Sequence, residues 1–338
     1  MLDHTSFAIG FDPRDRERLH ALWDSVMDNQ RWSEGPLTAR FEDLWSAHCD
    51  GAASVAFGSW TGGALAALTY AGVKGGTVVC PSNTFMATPL AVRAAGAEPV
   101  FADCRRDDLC LSYEAVEEAI ARHRPRAVFL VHIGGHLAFD VERIAALCRS
   151  EGVFLIEDCA HAHGASLDGA RAGTFGDAGI YSFYATKTIS TGEGGMLVTR
   201  DPELAAFARG FRNYGKPDHE AFGLNFRLSE FTAAIGIVQT ERLPEIVAAK
   251  NRIARDVLDH EHASRLELPS GMISGYYKYI VFDEIPKTTG RVYEQPCHRL
   301  MGHQVDLPNT DWVAENHWCV PLYYHPDPVR PDHDTVEA

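Results

Sequence analysis

A lysine and an aspartate in the middle of the chain have the neighbours that carbonyl–amine chemistry requires. Lys187 follows the largely apolar and aromatic run 181–186, which would withdraw it from water, lower its pKa and favour Schiff-base formation with a carbonyl. Asp158 ends a second apolar run, 153–156 and Glu157, where open α/β sheets present their ligands. A carboxylate there can keep a pyridinium nitrogen protonated, so the pair suggests a pyridoxal phosphate (PLP) site.

Each of these residues also has an ordinary explanation. An aspartate at a strand end is often a helix cap, and a lysine is more often a solvated side chain. His161 and His163 are either packed histidines or, at two-residue spacing, a metal-binding pair. Because no third ligand lies within sequence reach, no metal site is predicted. Spacing alone therefore supports PLP only weakly.

A third segment, 58–65 (GSWTGGAL), joins a predicted strand to a predicted helix. Its small residues let backbone N–H groups and the hydroxyls of Ser59 and Thr61 approach an anion at the helix N-terminus. It has neither the lysine of a Walker A loop nor the G-x-G-x-x-G spacing of a dinucleotide loop, which counts against a nucleotide-dependent reductase. A plain helix N-cap with a tight turn is the alternative.

The elements that must position these residues form an alternating pattern. Apolar runs predict strands at 53–58, 77–81, 98–104, 126–133, 153–159, 179–185 and 195–200. Amphipathic stretches predict helices at 61–72, 85–95, 113–123 and 141–151. Strands that alternate with helices favour an α/β fold with a mainly parallel sheet covered on both faces. The last three strands leave no room for helices between them, so one of them is a candidate antiparallel strand.

After residue 200 the pattern becomes helical and then irregular. Helices are predicted at 202–213 and 229–243, the second followed by Pro244 and a long run to about 260, whereas 262–338 is rich in proline, histidine and aromatics with one clear strand at 276–282. We therefore predict a large α/β domain over 1–240, including the N-terminal segment 1–50. A connecting helix and a small α+β domain would occupy 241–338.

Composition excludes several classes of protein. Lysine and arginine total 31 against 46 acids among 338 residues, so the formal net charge is −15. Such a surface disfavours binding to nucleic acid or to an anionic membrane. The eight cysteines include no C-x-x-C pair and suit reduced thiols. No apolar run approaches a membrane span, and acids interrupt the first twenty residues where a signal peptide would be apolar, so a soluble cytoplasmic protein is expected.

Taken together, these segments resemble the DegT/DnrJ/EryC1/StrS sugar aminotransferases, which are PLP enzymes of fold type I. The most specific pieces are EDCAHAHGA (157–165) and GTFGDAGIYSFYATKTISTGEGGM (173–196). The phosphate-type loop, PSNTFMATPLAV (81–92), VHIGGH (131–136) and GLNFRLSEFTAAIGIVQ (223–239) with Arg252 follow the family order. The resemblance covers about residues 30 to 255 and implies a large domain with a mainly parallel, seven-stranded sheet.

The resemblance implies roles around the cofactor ring. Lys187 would carry PLP and shuttle a proton, and Asp158 would pair with the pyridine nitrogen. Ala160 would pack against one ring face and Phe85 would stack on the other, although plain core packing is an equal alternative for Phe85. His161, where the family often has glutamine, would bind the 3′-oxygen.

Further positions are implied for the cofactor phosphate and the partner subunit. The phosphate would be ringed by Ser59, Trp60, Thr61, Gly62 and Ser182. Asn225 would reach the phosphate of the neighbouring subunit's cofactor, which implies a homodimer with shared active sites, with a simple turn residue as the alternative. Glu193 either faces the active site or closes the GEGG turn.

The implied reaction is a transamination in two half-reactions. Glutamate or glutamine would convert PLP to pyridoxamine phosphate, which would then aminate a nucleotide-linked keto-deoxy sugar, by our first choice a 4-keto-6-deoxyhexose. Lys187 favours transamination, because relatives that dehydrate sugars have histidine there. The alternatives are an aminotransferase for cyclitols such as scyllo-inosose and a non-catalytic regulator of the same fold.

The C-terminal region departs from the family pattern. The segment VYEQPCHR (292–299) follows the strand at 276–282 too soon, and the final helix looks shortened. Substrate-lining candidates there, with polar core packing as the alternative, are Tyr293, His298, His317 and Tyr323.

Overall fold

A seven-stranded sheet forms the centre of the protein, which is represented by a computed structural model that describes residues 11–219 and 222–324. The strands of the described chain are β1 (Ala53–Phe57), β2 (Thr77–Pro81), β3 (Glu98–Ala102), β4 (Ala127–Val131), β5 (Phe154–Asp158), β6 (Ser166–Leu167), β7 (Ala170–Arg171), β8 (Ala178–Ser182), β9 (Gly195–Thr199), β10 (Met272–Ile273), β11 (Tyr279–Val281) and β12 (Trp318–Val320). The order in the large sheet is β1-β9-β8-β5-β4-β2-β3. Only β9 runs antiparallel to its neighbours, as expected for one of the three closely spaced runs.

Helices cover both faces of this sheet. They are α1 (Arg16–Asn29), α2 (Pro36–His48), α3 (Trp60–Tyr70), α4 (Ala87–Ala94), α5 (Tyr113–His123), α6 (Val141–Glu151), α7 (Pro202–Phe211), α8 (Glu230–Ile253), α9 (Asp259–Glu261), α10 (Cys297–Leu300) and α11 (Pro308–Glu315). Two of them, α5 and α6, have the bounds that the sequence pattern predicts. The expected α/β fold with a mainly parallel sheet is confirmed.

One long helix joins two predicted ones. The helix expected over 229–243 and the connecting helix expected from 241 form one helix, because α8 continues through Pro244 to Ile253. Proline removes one backbone hydrogen bond and usually bends or ends a helix. Here Leu243 and Ile246 on either side are buried, so packing offsets the lost bond. The predicted domain boundary at residue 240 lies inside this helix.

Alternation along the strands divides the apolar core into two halves. In β4, Val128 and Leu130 belong to one buried cluster, whereas Ala127 and Phe129 belong to the other, as the two-residue period of a strand requires. The first cluster takes residues from α2, α5, α6 and α8. The second takes residues from α3, α4 and α7. The central strands are therefore covered on both faces.

The region after α9 adds two small sheets to this framework. β10 pairs with β6, and β11 pairs with β12, both antiparallel. The predicted strand at 276–282 is thus real but shorter. In the part of the chain that the structure describes, no helix has the length and hydropathy needed to cross a membrane.

Candidate functional site

The carboxylate of Asp158, at the end of β5, is held by three donors. Its Oδ1 accepts hydrogen bonds from the indole N–H of Trp60 and the backbone N–H of Ala160, both at 3.0 Å. Its Oδ2 accepts one from the Thr88 hydroxyl at 3.3 Å. Burial raises the pKa of this carboxyl group, and the Ala160 hydrogen bond and the charge of Lys187 lower it. The three donors fix the carboxylate in one orientation and favour its charged form.

Lys187 lies beyond the end of the neighbouring strand, β8. Burial lowers the pKa of its ammonium group to about 8; Asp158 opposes that shift and Lys278 adds to it. Its Nζ lies 5.0 Å from the centre of the Tyr277 ring and, among the described residues, has no hydrogen-bond acceptor. The structure therefore brings the amine and the carboxylate into one pocket, with the amine free to react.

His161 completes the polar lining of this pocket. Its ring stacks on Tyr277 at 4.1 Å and, more distantly, on Tyr293. Its Nε2 lies 3.5 Å from the Tyr293 hydroxyl, and its buried Nδ1 has no partner in the described structure. Burial, and then the charges of Lys187 and Lys278, hold the pKa of His161 well below its usual range, so the ring is neutral. Seven other buried side-chain atoms of the described chain also lack a hydrogen-bond partner, among them Nδ1 of His163. The His161 nitrogen is a candidate ligand contact because the charge of Lys187 acts on this ring.

The start of α3 lies beside the same pocket. Ser59 caps this helix, and its Oγ accepts a hydrogen bond from the Gly62 N–H at 3.4 Å. Close packing against β9 depends on Gly195, because a Cβ there would lie 2.4 Å from the carbonyl oxygen of Ser59. Ser182, at the end of β8, is buried. It precedes Lys187 by five residues in the sequence. A helix start with free N–H groups suits an anion such as a phosphate.

The side chain of Trp60 contacts Asp158, whereas its backbone lies at the start of α3. The resemblance assigns Trp60 to the cofactor phosphate together with Thr61, which is exposed. The indole N–H of Trp60 donates to Asp158. The Trp60 ring is buried in the core between α3 and β4, and its centre lies 6.0 Å from that of Phe129. Only its backbone lies at the helix start.

The side chains of His161, Lys187 and Asp158 have the chemistry that PLP binding requires. The unpartnered Nδ1 of His161, the unpaired amine of Lys187 and the hydrogen-bonded carboxylate of Asp158 are the three groups that a hydroxypyridine aldehyde needs. Phe85, beyond β2, is 65% exposed, which argues against its core-packing alternative. Ala160 is half-buried beside Asp158, as the small-residue position requires.

Of the C-terminal candidates, the structure places Tyr293 in this pocket. His298 lies elsewhere, where its Nδ1 contacts the Ser82 hydroxyl at 2.7 Å and its Nε2 is 3.8 Å from Asp311. His317 is fully buried; its Nε2 accepts the Val292 N–H at 2.9 Å, and its Nδ1 donates to the Val313 carbonyl. Both are packed histidines with protein partners, which is the alternative that the sequence left open.

Three further candidates lie in different surroundings. Tyr323 is half-buried. Glu193 is exposed on its turn, and its carbonyl accepts a hydrogen bond from Thr191 at 2.7 Å. Asn225 is exposed, and its Oδ1 accepts the Arg227 N–H at 3.4 Å. Glu193 and Asn225 have no described contact with Lys187, Asp158 or His161.

Sequence reasoning missed three residues of the pocket. Thr88 is one of the donors to Asp158, and nothing in its sequence context indicates that contact. Tyr277 and Lys278 precede β11 and were interpreted only as part of a strand. Their signal was available: polar and aromatic residues at 276–278 interrupt the alternation of a half-buried strand.

A buried group of possible metal ligands has a structural explanation. His132, Glu157 and Cys159 have ligand atoms within 4.8 Å of one another. However, His132 Nε2 contacts Glu157 at 2.9 Å and its Nδ1 accepts the Ala138 N–H at 3.1 Å. Glu157 also accepts the backbone N–H groups of Gly173, Phe175 and Gly176. With both imidazole nitrogens and the carboxylate engaged, the group anchors β5 to the loop before β8.

Comparison with known proteins gives a consistent set of relatives. A family model described as the DegT/DnrJ/EryC1/StrS aminotransferase family matches residues 13–264. GDP-perosamine synthase of Escherichia coli O157:H7 is 34% identical over 71% of this chain and 66% of its own length. L-glutamine:2-deoxy-scyllo-inosose aminotransferase of Streptomyces kanamyceticus is also 34% identical, over 89% of this chain and 71% of its own.

A solved structure agrees with this picture. The aminotransferase TlmJ from Streptoalloteichus hindustanus is 33% identical, with a TM-score of 0.85 over 94% of this chain and 93% of that one. The likeness therefore includes the C-terminal region as well as the sheet. The match to GDP-perosamine synthase covers just under two thirds of that protein.

Proposed function

This chain belongs to the DegT/DnrJ/EryC1/StrS aminotransferase family, and on that premise we propose that it is a PLP-dependent aminotransferase. It transfers an amino group from glutamate or glutamine to a nucleotide-linked keto-deoxy sugar, by our first choice a 4-keto-6-deoxyhexose. One observation carries the proposal: a free lysine amine, a hydrogen-bonded carboxylate and an unpartnered imidazole nitrogen lie together, near enough for the charge of Lys187 to act on both other groups.

The residues divide the work by their chemistry. When bound, PLP supplies an electron sink that stabilises negative charge on the substrate carbon. Lys187 would hold the cofactor and then move a proton at its Nζ, for which a pKa of about 8 is well suited near neutral pH. Asp158 would hold the proton on the ring nitrogen. Because His161 is neutral, its Nδ1 can donate to, or accept from, the 3′-oxygen according to its tautomer.

The remaining cofactor contacts are proposed from their positions. The start of α3, with Ser59 and Gly62, and the hydroxyl of Ser182 would bind the phosphate. Phe85 and Ala160 would cover the two ring faces. Asn225 has no described role within its own chain's pocket, and exposed apolar side chains lie near it, Phe222 at 66% and Leu224 at 44%. These features support a homodimer in which Asn225 serves the partner subunit's site, and a cytoplasmic location stays part of the proposal.

A second acceptor class has a specific observation in its favour. The aligned region of L-glutamine:2-deoxy-scyllo-inosose aminotransferase extends over 89% of this chain, against 71% for GDP-perosamine synthase and 84% for the dTDP-3-amino-3,4,6-trideoxy-alpha-D-glucose transaminase of Micromonospora megalomicea. The longer alignment takes in the C-terminal region that would face the acceptor. An aminocyclitol aminotransferase is therefore the alternative to the sugar enzyme.

The cofactor proposal is tested by spectroscopy. Purified protein mixed with PLP should develop a visible absorption band that borohydride converts to a stable adduct on Lys187. Lys187→Ala should develop no such band, whereas Lys287→Ala, which removes an exposed lysine, should behave as wild type. An identical band in Lys187→Ala would refute the assignment.

Acceptor class is tested with the pyridoxamine-loaded protein. Incubation with a panel of nucleotide-linked 3-keto and 4-keto sugars and with scyllo-inosose should give an aminated 4-keto sugar. Amination of the cyclitol alone would replace the first choice with the alternative. A protein that binds PLP but aminates nothing in the panel, with no donor deamination, would point to the non-catalytic regulator.

A further inference from the structure

Residues 274–278 of the C-terminal region are fixed over the pocket by main-chain contacts. The N–H groups of Gly275 and Lys278 donate to the carbonyls of Gly135 and Gly134, at 2.7 and 2.8 Å. A Cβ at Gly135 would lie 2.5 Å from the nitrogen of Tyr277, so the two backbones touch and only glycine fits. The position of the Tyr277-Lys278 pair is therefore set by the large sheet.

Helix α8 holds the same segment from the other side. Lys250, which is buried, donates its Nζ proton to the Tyr276 carbonyl at 2.9 Å. The Asn251 side-chain amide donates to the Ser274 carbonyl at 2.7 Å. Since both are side-chain-to-backbone contacts, they hold the segment whatever side chain occupies position 278.

Two ammonium groups share the ring of Tyr277 in this arrangement. The Nζ of Lys187 lies 5.0 Å and that of Lys278 lies 5.4 Å from the ring centre. Lys278 is half-buried, and no carboxylate of the described residues lies within the 4.0 Å of an ion pair. A cation–π contact is thus the one attraction that the described chain gives this charge.

The local charge is opposite to that of the molecule. The whole chain has a formal charge of −15, yet Lys187, Lys250 and Lys278 gather at this pocket. Among the described residues, Asp158 is the acid that opposes the lowered pKa of Lys187, and the charge of Lys278 adds to the lowered pKa of both Lys187 and Lys250. Like charges in a partly desolvated site destabilise one another until an anion joins them.

We propose that Lys278 binds the α-carboxylate of the amino-group donor, through a charge-assisted hydrogen bond beside Lys187. This rests on the proposed function. The donor must place its amino nitrogen at the reacting amine of Lys187, and its α-carboxylate is attached to the same carbon as that nitrogen. A nucleotide diphosphate is separated from the keto carbon by the sugar ring, so it fits a cation that shares the Tyr277 ring with Lys187 less well.

The test uses the full-length holoenzyme and separates the two half-reactions. In Lys278→Met, single-turnover kinetics with L-glutamate or L-glutamine should show the donor's apparent Kd raised about 10- to 100-fold, the loss expected for a hydrogen bond between charged groups. The acceptor half-reaction, started from the pyridoxamine-loaded protein, should keep its apparent Kd. Lys278→Arg should recover part of the donor affinity, and Lys287→Met, an equal charge change at an exposed position, should change neither.

A binding measurement without turnover supplies an independent readout. Calorimetric titration with glutarate, an unreactive dicarboxylate, should show weaker binding to Lys278→Met than to wild type or Lys287→Met. An unchanged donor Kd together with unchanged glutarate binding would overturn the proposal. A raised Kd for the keto acceptor alone would also overturn it and assign Lys278 to the substrate phosphate.

The outcome is distinguishable from a failure of the proposed function. Donor binding and the first half-reaction need no keto sugar, so an error in the acceptor class leaves them intact. If the cofactor band never forms on Lys187, the proposed function fails first, and glutarate binding to the apoprotein still reports on Lys278.

Discussion

The pocket at the carboxyl edge of the sheet and the C-terminal region beyond β11 both contain buried histidines. The two regions differ in whether the ring nitrogens have hydrogen-bond partners. In the C-terminal region both nitrogens of His317 have protein partners. In the pocket, Nδ1 of His161 has none among the described residues. Both rings are held neutral, because burial lowers the pKa of His317 to about 4 and that of His161 well below its usual range. The unmet hydrogen bond of His161 points to a ligand because of its place beside the Lys187 amine, since His163 is also buried with an unpartnered Nδ1 but lies among packed aromatic rings.

The largest effect on the amination rate is expected from a change at Asp158. Its carboxylate already has three hydrogen-bond donors in the protein, but its proposed function requires the bound cofactor. Asp158→Asn preserves the shape and removes the charge, so it should lower the amination rate by roughly 100- to 1,000-fold. The melting temperature of the apoprotein should stay close to wild type or rise, because burial opposes the charged form. Steady-state kinetics and calorimetry measure the two quantities. A variant with nearly normal turnover would remove Asp158 from the cofactor site.

Replacing each of the two histidines by leucine tests the comparison directly. His317→Leu leaves the Val292 N–H and the Val313 carbonyl without partners, which should cost about 1–3 kcal/mol of unfolding free energy for an unsatisfied buried group. His161→Leu removes an already unpartnered atom, so stability should change little while PLP affinity falls. Urea unfolding and PLP titration measure both variants, with the exposed His260→Leu as control. The reverse pattern would contradict the comparison.

A smaller effect is expected from the tryptophan that holds Asp158. Trp60→Phe keeps the packing against Phe129 and loses one hydrogen bond to a charged carboxylate, which should weaken PLP binding by about tenfold. The pH at which the bound cofactor's spectrum titrates should also move, because the carboxylate that faces the ring nitrogen is less well held. A purely structural role would leave that titration unchanged. Trp32→Phe, at a 59% exposed position, is the matched control.

The smallest effect concerns the pH dependence of cofactor uptake. Condensation with an aldehyde requires the neutral amine, and burial lowers the pKa of Lys187 from 10.5 to about 8. Uptake of PLP by the apoprotein should therefore accelerate as pH rises through about 8 and level off above it. Division by the rate measured with Nα-acetyl-lysine corrects for the ionisation of PLP. Acceleration that continues to above pH 10 would show that the lysine is solvated.

Much of the fold follows from local pattern. Helices such as α5 and α6 were predicted to the residue, because caps and the 3.6-residue period lie within each segment, for example Ser112, whose hydroxyl accepts the Ala115 N–H. The joining of the two predicted helices through Pro244 into α8 was not predictable locally. It depends on buried contacts of Leu243 and Ile246 that no window of sequence contains.

The same division holds for the pocket. The sequence by itself determined the chemistry: an amine and an acid at the ends of two parallel strands, and a helix start suited to a phosphate, since strand ends and residue types are local properties. Only the tertiary structure decided which polar groups are left for a ligand. It set the indole of Trp60 on Asp158, brought Tyr277 and Lys278 over Lys187 and withdrew His298 and His317 into packing, because hydrogen-bond partners and burial arise between segments far apart in the chain.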